Sequence, residues 1–350
     1  MALNYTTEFS PLVAERFSKE SITDAYAGKD YDFSGVKSIK IYSVDTVPIV
    51  DYTRSGTSRF GSLTELGDTI QEMTMTQDKG FTFSIDAGNA GEQMNIKQVT
   101  KCLKRNWDER ATPLIDKYRL VNWINGCGLI TAASSDLTKS NVVESIMTDG
   151  AAMSNKLVPY KNRTVFIRES LYIKLKLSTE IQGLEKLGVE ATSRGHVGYL
   201  DDMAIVRVPD NYLPDGVNYF IKYKNATVDP MKLKSMHTHK RPLGIDGDVG
   251  ECRFLFDAFI KGTQVNGLCA NIASAKVVAA PAIAIATNKA TITCGTTDAV
   301  IKYTLDGTDP KTSPTAEAYS AAVSMAAGQT IRAYASKSGL VNSAVADATN

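Results

Sequence analysis

His237-Thr238-His239 sets two imidazoles two residues apart. On an extended strand both would face one side, which is half of a zinc-type site. A working site needs further ligands, and the stretch from Lys234 to Arg241 supplies basic residues and no carboxylate. The pair therefore reads as solvent-exposed histidines in a basic loop. His196, close to Gly195 and Gly198, reads as part of a turn. Asp246-Gly247-Asp248 with Glu251 brings carboxylates together, but the twelve-residue ligand spacing of a calcium loop is absent, so a turn is the better account. Gly126-Cys127-Gly128 is a fragment of a dinucleotide fingerprint with neither the third glycine nor a preceding strand, and is read as a helix stop. Near the C-terminal end, Asp306-Gly307 is a hairpin signal, favoured over calcium or sugar binding.

No GxSxG, HExxH or phosphate-loop pattern occurs. No catalytic, cofactor-binding or metal-ligating residue is assigned, no cofactor is expected, and the chain reads as non-enzymatic. Its 39 basic and 38 acidic residues give a formal net charge of +1. That balance argues against a dedicated nucleic-acid binder, which shows a basic excess or stripe. Five cysteines at wide spacings, with no CxxC, suggest reduced thiols in a protein made in a cytoplasm. Met1–Ser10 has no secretory pattern, and the longest apolar run, Val277–Ala286, is broken by Pro281. A membrane span needs about 20 apolar residues, so no membrane association is expected.

The elements that could position such groups follow from periodicity. Residues 1–35 read as an arm, with a short helix over Leu12–Tyr26. Val36–Val50 is strand-like up to Pro48, and Arg54–Asp68 is a polar, turn-rich tip. Met73 and Met75 alternate, a turn is expected at Asp78-Lys79-Gly80, and Phe81, Phe83 and Ile85 alternate again. The whole reads as a long projecting hairpin without a core of its own.

Ile96, Val99, Leu103, Trp107, Ala111, Leu114, Tyr118 and Val121 then form one helical stripe ending at Asn125-Gly126. Pro113 cannot bond the carbonyl of Glu109, so a kink or restart is expected there. A continuous helix would measure roughly 45 Å, the length of a strut. A second helix is expected over Ser140–Met153 and a strand over Arg163–Arg168. Glu169–Leu177 alternates like a strand through Leu171, Ile173, Leu175 and Leu177. From Gly195 to Leu268 the chain is rich in β-branched and aromatic residues set among turn formers. Charged residues thin out beyond Lys276, and strand candidates recur at Ala290–Cys294, Val300–Leu305 and Gln329–Ala335. A small β-sandwich is expected there, after a linker at Ala275–Pro281.

Gly195–Pro209, with its glycines, Leu-Asp and Val-x-Val-Pro, resembles the tailed-bacteriophage major capsid family. Tyr219–Tyr223, Pro230–Leu233 and the Phe-Asp-Ala-Phe of Phe256–Phe259 continue the resemblance, and Thr112–Arg119 is similar to that family's spine-helix start. The resemblance implies an α+β Hong Kong 97-type capsid fold. Its parts would be an N-terminal arm (1–35), an extended loop hairpin (36–94), and a spine helix with peripheral and axial domains (95–275). It also favours a helix at Glu169–Leu177.

Ile301–Gly307 and Thr330–Ala335 are similar to the immunoglobulin-like C-terminal domain of chitobiases and hexosaminidases, implying a β-sandwich decoration domain at 276–350. The function implied is self-assembly, as hexamers and pentamers, into an icosahedral shell around double-stranded DNA held without sequence specificity. Portal, scaffolding or decoration proteins would be further partners. The place would be the virion, with the host cytoplasm during assembly. Surface glycans are a possible ligand of the last domain, whose removal (278–350) is expected to leave assembly intact. Rival readings are a cell-surface or carbohydrate-binding protein and an encapsulin-like nanocompartment shell.

Overall fold

The computed structural model describes residues 21–28, 31, 38–44, 47, 49–63, 65–87, 98–181, 192–193 and 196–350. Most of the expected Leu12–Tyr26 helix lies outside them, and its described end is a single 3-10 turn, Asp24–Tyr26. Residues 21–28 are packed on the body. Asp116 accepts hydrogen bonds from Ser21 Oγ (2.7 Å), the Ile22 amide (2.9 Å) and Thr23 Oγ1 (2.6 Å).

β1 (Ser38–Val44) pairs antiparallel with β2 (Asp68–Thr74), and β3 (Gln77–Asp86) follows. The expected turn at Asp78–Gly80 is instead inside β3; the chain breaks at Met75-Thr76. Met73 and Met75 both enter a small core with Val228 and Leu255, which ends the hairpin there. Gly80 serves close approach, since a Cβ on it would stand 3.0 Å from the Cys252 carbonyl oxygen.

α1 (Val99–Asn106), a π turn (Trp107–Ala111) and α2 (Thr112–Asn125) follow without a gap. At 1.5 Å per residue this strut is about 40 Å long; the expected start at Ile96 lies outside the described residues. The expected kink takes the form of the π turn, in which the Thr112 amide bonds the Trp107 carbonyl one residue wider than in an α-helix. The widened turn lies where Pro113 offers no N–H to Glu109. Its extra residue rotates the buried face, which corrects the expected stripe. Leu114 is 46% exposed, while Ile115, Leu120, Trp123 and Ile124 are buried.

Next come β4 (Leu129–Ala133), α3 (Val142–Asn155), β5 (Arg163–Arg168) and α4 (Glu169–Lys176). The alternation in α4 gives way to helical spacing: Leu171, Tyr172 and Leu175 are buried, and Ile173 is exposed. β6 (Tyr199–Leu200), β7 (Met203–Val208) and β8 (Val217–Tyr223) precede a long hairpin of β9 (Met231–Lys240) and β10 (Gly247–Phe256); β11 (Leu268–Ala273) closes the body. The turn between β6 and β7 is made by Asp201 and Asp202, both at positive φ, the left-handed geometry a two-residue hairpin needs.

The central sheet has order β4-β11-β8-β5-β7-β6, and a second sheet has order β9-β10-β3. β5 explains the layering. Val165 and Ile167 pack with α3 and α4 through Val142, Ile146 and Leu171, whereas Phe166 packs with Trp123 and Ile124 of α2. Alternate side chains thus fill two cores, one on each face. α1 and the start of α2 lie over the second sheet, where Leu103, Ala111 and Ile115 meet Cys252, Phe254 and Phe256. The strut therefore joins two cores.

Beyond Val278 the chain forms a three-stranded and a four-stranded sheet around Ala290, Ile292, Tyr303, Ile331 and Ala333. Its strands include Lys289–Thr293, Val300–Thr304 and Thr330–Ser336, close to the expected positions. The expected linker is packed rather than loose: Val278 is buried, and Val277 bridges to Val341.

Candidate assembly interface

The residues singled out for chemistry lie in separate parts of the fold. His237 and His239 lie on strand β9 rather than in a loop, exposed, with ring centroids 6.1 Å apart. Glu251 of β10 reaches His239 Nε2 at 3.5 Å. Among the described residues no group of three or more His, Cys, Asp or Glu side chains is placed to hold a metal ion. His196 begins a two-residue strand instead of a turn. Asp246 sits in the turn between β9 and β10, 3.2 Å from Arg241 Nε.

At the end of α2 the glycines provide clearance. A Cβ on Gly126 would stand 2.2 Å from Ile260 Cδ1, and one on Gly128 would stand 2.8 Å from the Val265 backbone. Cys127 between them is fully buried, and burial pushes its thiol up to about 11, away from reactivity. Asp306 folds its own turn, accepting from the Thr308 amide at 3.0 Å and from Thr315 Oγ1 at 2.6 Å, with Gly307 at φ 76°.

The β1–β2 hairpin is different in kind. Its base is clasped. Asp257 accepts from the Thr76 amide (2.8 Å) and Thr76 Oγ1 (3.0 Å) through one oxygen, and from Tyr118 Oη and the Ala258 amide (both 2.8 Å) through the other. Burial, with the adjoining Asp257 carboxylate, holds the Tyr118 hydroxyl above its ordinary pKa. Gln71 adds a second tie, donating to the Ile260 carbonyl (2.7 Å) and accepting from the Gly262 amide (2.9 Å).

Past Gln71 the side chains lose the body. Ile49 and Leu63 are fully exposed, Phe60 is 84% exposed, and Tyr42, Val44, Val47 and Val50 are more than half exposed. A two-stranded sheet is marginal alone. This one leaves both outer edges unpaired among the described residues. Apolar surface in water costs roughly 25 cal/mol per Å² relative to burial, and open edges template further strands. The arrangement presents apolar surface and open strand edges that any cover would stabilise. The alternation of apolar residues was legible in the sequence; the clasp was not, because Asp257, Thr76 and Tyr118 are brought together only by the fold.

Solved phage structures are similar to this chain. One from Mycobacterium phage Che8 is 16% identical, with a TM-score of 0.61 over 77% of this chain and 97% of that one. The capsid of cyanophage P-SCSP1u is 12% identical, with a TM-score of 0.63 over 77% and 93%. The mature capsid of bacteriophage PhiM1 is 10% identical, with a TM-score of 0.62 over 77% and 92%. Residues 283–347 match the chitobiase/beta-hexosaminidase C-terminal domain family. No curated protein matches the chain in sequence. The fold is accordingly the mixed helix-and-sheet fold of phage capsid structures, followed by a strand-rich, immunoglobulin-like C-terminal domain.

Proposed function

We propose that this chain is the major capsid subunit of a tailed bacteriophage, a non-enzymatic protein that assembles with copies of itself into an icosahedral shell around double-stranded DNA. The observation that carries the reading is the clasped hairpin, whose outer apolar side chains, among them Tyr42, Val44, Ile49, Phe60 and Leu63, are exposed. The capsid-like fold supports it. In this reading residues 1–35 act as arm, 36–94 as extended loop, 95–275 as spine with peripheral and axial domains, and 276–350 as an accessory domain. The hairpin of one subunit covers a neighbour in hexamers and pentamers, and a near-neutral subunit encloses DNA without reading its sequence. The subunit resides in the virion, and in the host cytoplasm while it assembles; portal and scaffolding proteins complete the set of partners.

Electron microscopy of the purified protein tests this. Shells, tubes or capsomers are expected, and a strictly monomeric species under all assembly conditions would overturn it. The similarity of residues 283–347 to an accessory domain of sugar-processing enzymes favours one addition, glycan binding on the particle exterior. A glycan array probed with assembled particles should then give signal.

A further inference from the structure

A decoration domain on a linker should touch its carrier lightly. The contacts of the C-terminal sandwich are of another kind. Val341 is 3% exposed and belongs to the central core cluster of the body, which also contains Leu120, Trp123, Ile124 and Ile260. One backbone bond crosses the boundary, the Val341 amide donating to the Lys276 carbonyl at 3.0 Å, and within the domain the Val278 amide donates to the Val341 carbonyl at 3.0 Å.

The end of the long helix is finished by the same domain. The last carbonyls of any helix lack partners within it, and a cation near them is favoured by the helix dipole. Asn342 Nδ2 donates to the Asn125 carbonyl at 3.2 Å, and Lys311 Nζ donates to the Cys127 carbonyl at 2.8 Å. Burial pulls the Lys311 ammonium below its ordinary pKa, while Asp309 and the Tyr334 ring face it from within the sandwich. Taking a lysine charge out of water is tolerable only where partners are fixed around it. A third contact reaches the hairpin base. A Cβ on Gly262 would lie 3.1 Å from Thr312 Oγ1 and 3.6 Å from Gln71 Oε1, so the sandwich, the body and the β1–β2 hairpin meet at that glycine.

We propose that residues 277–350 are an internal brace: the sandwich caps the end of the long helix, closes the central core and unfolds with the body as one cooperative unit. The brace gives removal of the domain a cost in folding, because it strips Val341 from the core and leaves the Asn125 and Cys127 carbonyls without these donors. It stands apart from shell formation, since its test reads the folding of the subunit.

Calorimetry of the full chain should give a single transition, which Val341→Asp splits in two or moves to lower temperature throughout. Hydrogen exchange gives a second readout in case that variant does not fold. In the double variant Lys311→Ala, Asn342→Ala, the amides of Gly126, Cys127 and Gly128 should exchange at least tenfold faster, while those of α4 stay as they were. Two separate transitions in the unaltered chain would overturn the brace. So would unchanged exchange at Gly126–Gly128 in the double variant.

Discussion

The central sheet and the β1–β2 hairpin draw on the same kinds of residue and face opposite surroundings. Arg163–Arg168 and Val217–Tyr223 bury nearly every side chain between helices. Tyr42, Val44, Val47, Ile49 and Val50 are no less apolar, and water covers them. The central strands are layered by α2 on one side and by α3 and α4 on the other; the hairpin is held at its base by the small core around Met73 and by the clasp at Asp257 and Gln71. Apolar β-sequence thus marks a need for cover, and what supplies the cover decides whether a region stabilises the subunit or joins it to another.

The largest expected effect falls in the central core. Trp123 is fully buried, with its ring 5.9 Å from that of Phe166 and 6.5 Å from that of Phe220. Trp123→Ala should cost about 3–5 kcal/mol in denaturant unfolding. A cost below 1 kcal/mol would erase the contrast with the hairpin.

Next is Asp229, which accepts from Trp123 Nε1 (2.8 Å), the Gly28 amide (3.1 Å) and Thr227 Oγ1 (2.7 Å). Asp229→Ala should cost about 3 kcal/mol, because buried donors and the nearby Lys222 charge lose their partner. Burial raises the Asp229 pKa above 3.8, with Lys222 and Arg119 pulling it back only in part. A carboxyl raised in the folded state contributes stability that is fully present below its unfolded value and lost as pH rises through its folded value. Measured against pH, the stability of the native chain relative to Asp229→Asn should therefore fall as pH climbs above 3.8. A rising difference would place the charge in a more favourable setting than the burial implies.

A smaller change is expected at the boundary between the two regions. Asp257→Ala leaves Thr76 and Tyr118 without their acceptor, at about 1–3 kcal/mol. Hydrogen exchange should quicken at Thr76 and Gln77 before it does in β5. The smallest effect on folding belongs to the hairpin itself. Ile49→Ser, Phe60→Ser and Leu63→Ser should each change stability by no more than about 0.5 kcal/mol, while light scattering shows the triple variant failing to form particles. Normal particles from that variant would remove the hairpin from the assembly surface.

Much of the fold was legible. The strand at Arg163–Arg168, the long helical pattern and the sandwich strands follow from periods of two and 3.6 and from turn residues. The readings that failed did so for two reasons. Leu114 lies on a perfect stripe, yet the π turn adds one residue and hands its place to Ile115. Asp78–Gly80 looks like a turn, but pairing with β10 keeps it extended. In the first case a local break at Pro113 shifted the helical phase, and in the second a long-range partner overrode a sound local signal.

Local pattern by itself determined a chain of helices and strands with a strut-like helix, a projecting hairpin and no catalytic motif, because periodicity and turn chemistry act between neighbours in sequence. Only the tertiary structure decided which apolar faces are covered, where the hairpin is clasped and that the C-terminal sandwich reaches into the body. Those outcomes rest on contacts such as Asp257 with Thr76 and Asn342 with Asn125, whose partners are far apart along the chain. No local signal carries their geometry.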